Sequence, residues 1–82
     1  MLKVRVKDVI VITVKPRMTQ TTYQYVFVVE DQYGFSKVYF IDTDKYDKQK
    51  FIELVKLDYA GKYAIPVSNI EVEFFVEPPR VS

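Results

Sequence analysis

The chain of 82 residues contains no cysteine, no histidine and no tryptophan, and only two glycines. Each absence removes a class of explanation. Without cysteine there is no disulfide to staple a small fold and no thiolate to hold zinc. Without histidine the usual general base near neutral pH and the commonest transition-metal ligand are missing. Nucleophilic triads of the Ser–His or Cys–His kind therefore cannot be assembled. Ser36, Ser68 and Ser82 have only lysines or carboxylates as candidate bases. The reading points away from an enzyme, with no cofactor and no metal. Long apolar runs are lacking too, since nothing approaches the roughly 20 residues of a membrane-spanning helix. Lys3, Arg5, Lys7 and Asp8 interrupt the stretch where the apolar region of a signal peptide would lie. A soluble, cytoplasmic chain with no membrane partner is expected.

A chain this short makes one domain, read here as residues 1–82 with 77–82 a short C-terminal tail. It buries only about 60–65% of its unfolded surface, so its stability is modest. Net charge is +1, but the charges are unevenly spread. Residues 1–29 carry five bases against one acid, whereas residues 30–82 carry seven bases against ten acids. Such asymmetry predicts one basic and one acidic face, or ordinary solvated surface.

The pattern of elements is legible. In "MLKVRVKDVIVITVK" Leu2, Val4 and Val6 alternate with Lys3, Arg5 and Lys7; after Asp8 both faces turn apolar. This predicts one long strand bent at a bulge near Lys7–Asp8, broken by Pro16. Thr21–Glu30 and Phe35–Ile41 read as a second and third strand joined by "EDQYG". A helix follows, with Phe51, Ile52, Val55 and Tyr59 at helical spacing, Asp44 as N-cap and Gly61 at the C′ position. Lys62–Val67 and Asn69–Glu77 read as two further strands. The order β-β-β-α-β-β is that of the OB-fold, a five-stranded Greek-key barrel; the expected class is all-β with one helix. An SH3-like barrel and an α+β sheet with a packed helix compete with it.

Rings concentrate on the second and third strands: Tyr23, Tyr25, Phe27, Phe35, Tyr39 and Phe40. Binders of single-stranded nucleic acid stack bases on such rings beside a basic groove. Phe27 and Phe40 are assigned to the core, and Tyr23 and Tyr25 are divided between core and platform. A lysine between two rings is poor core material, so the Phe35–Lys37–Tyr39 face is expected to point outward. A lysine stem covering apolar surface is the rival account. The candidate nucleic-acid contacts are Lys3, Arg5, Lys15, Arg17, Tyr23, Tyr25, Phe35, Lys37 and Tyr39. The other function to consider is a protein-interaction module that uses the same face for dimerisation or partner binding. Asp42, Asp44, Asp47 and Glu53 imitate part of a calcium loop, but Asp47 stands where that loop requires glycine, and helix capping explains them better.

The opening "MLKVRVK", the tyrosine-rich "TTYQYVF" and "YAGKYAIPVSNIEV" together resemble the small single-stranded-DNA-binding proteins of filamentous phages. The resemblance implies an OB-fold homodimer that coats single-stranded DNA and a viral or plasmid origin; single-stranded RNA is the other nucleic acid the rings and bases would suit. It would place Tyr23, Tyr25, Lys15 and Arg17 on a DNA-binding wing.

Overall fold

The computed structural model describes residues 1–14 and 21–81. Lys15 and Arg17 lie outside the described residues. The elements run β1 (Leu2–Val14), β2 (Thr22–Asp31), β3 (Ser36–Asp42), α1 (Lys48–Tyr63), a single 3-10 turn (Val67–Asn69) and β4 (Ile70–Phe74). The strands form one mixed open sheet in the order β3-β2-β1-β4. β1 pairs antiparallel with β2 and, over Leu2–Val6 only, parallel with β4.

The long first strand and its bulge are where the alternation predicts them. The β1–β2 register breaks between Val6 and Asp8, so even-numbered residues before the break and odd-numbered ones after it share a face. Thirteen residues at about 3.3 Å each give a strand of roughly 43 Å. That length accounts for the 45 Å long axis of the molecule.

The described residues contain four strands rather than five, and the sheet does not close into a barrel. The expected strand over Lys62–Val67 is the element that differs. Lys62 and Tyr63 instead complete α1, which runs through Gly61 and ends at Ala64, whose φ of 55° is left-handed. Pro66 then opens the 3-10 turn. The helix passes Gly61, despite a cost of about 1 kcal/mol relative to alanine, because Tyr63 one turn beyond Tyr59 reaches Asp31. At the other end Asp47, not Asp44, is the N-cap, and its side chain accepts from the Lys50 backbone N–H at 3.1 Å.

The helix lies on one face of the sheet. Phe51, Val55 and Tyr59 form its buried stripe, packed with Leu2, Val4, Val6, Tyr25, Phe27, Val29, Tyr39 and Ile70. Phe51 stacks on Phe27 with ring centroids 4.2 Å apart. The tail after β4 crosses the same side, where the Tyr25 hydroxyl donates to the Pro79 carbonyl at 2.7 Å. Among the described residues no helix is long and apolar enough to cross a membrane.

Candidate functional site

The register of β2 with β3 decides which rings are available. Phe27 stands opposite Tyr39, Tyr25 opposite Ile41, and Val29 opposite Lys37. All six side chains lie on the helix side. The outward assignment of Phe35, Lys37 and Tyr39 is therefore corrected: that row faces α1. Tyr39 is buried and its hydroxyl donates to Asp58 Oδ2 at 2.7 Å. Burial first, and the neighbouring Asp58 carboxylate second, push the Tyr39 phenol well above its ordinary value. Lys37 is accommodated there because Asp58 of the helix meets its ammonium at 3.1 Å. Phe35 packs edge-on against Tyr59 at 5.7 Å and lies beneath the Lys62 ammonium at 3.9 Å.

Tyr25 is buried, whereas Tyr23 at the end of β2 is 40% exposed. Phe27 is in the core as expected. Phe40 is not: it is 60% exposed, on the face the helix leaves bare. The reversal has a plain cause. Ser36, Val38 and Phe40 share one parity, Phe35, Lys37 and Tyr39 the other, and each row contains one polar and two apolar residues. The deciding feature is Asp58, one residue before the buried Tyr59, which supplies the lysine with a partner above the core row.

Asp31 is a functional-looking group that the sequence reading missed. It is fully buried and accepts from the backbone N–H groups of Tyr33 at 2.8 Å and Phe35 at 3.0 Å. Its other oxygen accepts from the Tyr63 hydroxyl. Burial alone would raise its pKa, but the Tyr63 hydroxyl and the N–H groups of Phe35, Tyr33 and Gly34 outweigh it and hold the carboxyl below its usual range. The bond to Asp31, then burial, push the Tyr63 phenol up to about 12. The available signal was parity, because Asp31 continues the Phe27–Val29 row. Its chemistry is structural, tying the hairpin turn at Gly34 (φ 90°) to the end of the helix.

The bare face divides into two halves. Toward the start of β1, Lys3 is paired in register with Glu71, and Arg5 lies between Glu30 and Glu73. Lys7 Nζ contacts Glu30 Oε1 at 3.1 Å, and Arg5 Nη2 reaches the same oxygen at 3.5 Å. The hydrogen bond from Lys7 is the largest influence lowering the Glu30 pKa. Three bases thus stand beside three acids, and this end of the bare face is locally balanced in charge. In the other half Ile10, Val38 and Phe40 are exposed, at 53%, 51% and 60%, among half-buried Ile12, Val26 and Val28. Gln24 donates to Asp42 at 2.9 Å along one border of this patch. No family model, curated protein or solved structure matches the chain.

Proposed function

We infer that the chain is a non-enzymatic protein-interaction module whose helix-free sheet face seats an apolar surface of a protein partner. One observation carries this reading: Ile10, Val38 and Phe40 are each more than half exposed on a face that no described element covers. Isolated exposed aliphatics are ordinary, but a contiguous patch rimmed by polar groups marks an interaction site. The charges around it favour protein over nucleic acid. Lys3, Arg5 and Lys7 stand beside Glu30, Glu71 and Glu73, which repel phosphate.

A photo-crosslinking amino acid at Val38 tests the assignment, with the same group at exposed Tyr33 as control. Protein adducts formed at Val38, absent at Tyr33 and abolished by Phe40→Lys, support it. Nucleic-acid adducts at Val38 overturn it.

Binding of single-stranded DNA or RNA is the second reading, favoured by one feature. Tyr23 is exposed at the end of the β1–β2 ribbon, and Lys15 and Arg17 lie in the segment that joins the two strands. The resemblance to phage single-stranded-DNA-binding proteins supports the same placement. With three to five phosphate contacts at about −0.7 each, affinity would fall with salt at a log–log slope of roughly −2 to −4. Saturable quenching of tyrosine fluorescence by oligothymidylate, weakened by salt, would establish that reading; a flat titration would remove it.

A further inference from the structure

The outer edges of the sheet differ in how they are guarded. β4 carries Glu71 and Glu73, and β3 carries Lys37 and Asp42, so both free edges are protected by charge in the way that discourages pairing. The far half of β1 is different. β4 accompanies β1 only as far as Val6, where the Phe75 backbone N–H donates to the Val6 carbonyl at 3.0 Å. Beyond that point β1 continues as Lys7-Asp-Val-Ile-Val-Ile-Thr-Val14, with no charge after Asp8 and β2 on one side only.

The direction of each backbone group follows from the ladder. Thr22 Oγ1 donates to the Val14 carbonyl at 3.4 Å, so Val14 faces β2. By alternation Ile12 and Ile10 face β2 as well, and Val9, Val11 and Thr13 turn their N–H and C=O groups away from it. Among the described residues no β-strand lies beside these three. The Val9 N–H is already satisfied, because Asp8 Oδ1 accepts from it at 2.9 Å. What is left open is the Val9 carbonyl together with both groups of Val11 and of Thr13, the last two residues placed symmetrically about Ile12.

We propose that a second copy of this chain pairs antiparallel along the far half of β1, with the two-fold axis through Ile12. In that register Val11 stands opposite the second copy's Thr13 and Thr13 opposite its Val11. The four open N–H groups and carbonyls of Val11 and Thr13 on each copy then meet the same four on the other, the Val9 carbonyl stays at the margin of the ladder, and Asp8 keeps its bond to Val9. Ile12 meets Ile12 of the second copy, and Ile10 meets its Val14. Every opposed pair is aliphatic or Thr–Val, so no like charges face one another. A second copy suits this edge because the free groups of Val11 and Thr13 are themselves arranged symmetrically about Ile12. The pairing uses the edge and not the bare face, so it stands or falls apart from the partner-binding reading. It also sets the two bare faces side by side as one surface. Five residues a side is well below the roughly 20–30 of a standard interface, so the dimer forms in a concentration-dependent manner.

The absence of native cysteine makes the register directly measurable. Ile12→Cys places two thiols at a non-hydrogen-bonded pair, with Cα atoms about 4.5 Å apart, inside the range a disulfide spans. Ile10→Cys places them about 13 Å apart, four residues out of register. On mild oxidation Ile12→Cys forms a disulfide dimer and Ile10→Cys stays monomeric. Adding Thr13→Pro, which removes one outward N–H per copy at an exposed position, lowers the crosslinked yield about tenfold or more while the thermal midpoint holds. Sedimentation of the cysteine-free chain with and without Thr13→Pro reads the same equilibrium without any thiol. Equal crosslinking of both cysteine variants, a dimer indifferent to Thr13→Pro, or a monomer throughout up to millimolar concentration would each overturn the proposal.

Discussion

β2 presents two rows of residues of nearly equal hydrophobicity, and they have opposite fates. Tyr25, Phe27 and Val29 are buried beneath the helix, while Val26 and Val28, one residue out of phase, line the bare face. Hydrophobicity does not separate the rows; the helix does. The covered row has ring partners in Phe51 and Tyr46 and a hydroxyl partner for Tyr25 in the Pro79 carbonyl, as Tyr39 beside it on β3 has Asp58. Buried tyrosine is inexpensive only when its O–H is satisfied, and the helix and tail provide that on one side alone. A sheet face is made interior by what can complete its polar atoms, as well as by how apolar it is.

The largest contrast should come from matched truncations. Phe27→Ala removes a fully buried ring stacked on Phe51 and Tyr46 and should cost about 3–5 kcal/mol, read by denaturant unfolding. Tyr25→Ala should also destabilise by about 3 kcal/mol; an unchanged thermal midpoint would return that ring to the surface and restore the platform reading.

Asp31→Asn comes next, at about 1–3 kcal/mol for the weakened acceptor, and it carries a pH signature. The folded carboxyl is held below its ordinary range. Its contribution is therefore full above the unfolded pKa of about 3.9 and is lost as pH falls through the folded value. The native chain should lose stability on acidification in that window, and Asp31→Asn should show a flatter acid limb in thermal melts. Asp47→Ala should cost about 1 kcal/mol, as for a lost N-cap, and lower helical ellipticity before the main transition. Phe40→Ser on the bare face should change stability by no more than about 0.5 kcal/mol. A large loss there would mean the face is covered within the monomer, and the distinction between the two rows would fail.

Much of this was readable in the residues. The β1 bulge, the hairpin at Gly34, the Phe51–Val55–Tyr59 stripe and the alternation of Ile70, Val72 and Phe74 with Glu71 and Glu73 all follow from period and turn chemistry. The C-terminal end of the helix did not, because Gly61 is a strong local stop signal and the Tyr63–Asp31 bond that carries the helix past it spans 32 positions. The side of the sheet that would be covered was equally hidden. It depended on Asp58 meeting Lys37 across the helix–sheet interface, a tertiary pairing with no local trace. The surroundings of Lys3 and Arg5 were hidden for a related reason. β4 brings Glu71 and Glu73 beside them from nearly 70 positions away, so at this end of the sheet charge segregated along the chain is mixed in space.

The irregularity between Val6 and Asp8 bears on how this chain can change length. Leu2, Val4 and Val6 face the helix with even numbering and Val9 and Val11 with odd numbering, so one residue is surplus to the ladder. Inserting or deleting a residue elsewhere in β1 would transpose every side chain beyond it from one face to the other. Deleting Lys7 would leave all of them where they are, at the loss of its contact with Glu30. β1 therefore has a single position at which its length can drift, and a gap aligned there in a related sequence would signify an unchanged sheet.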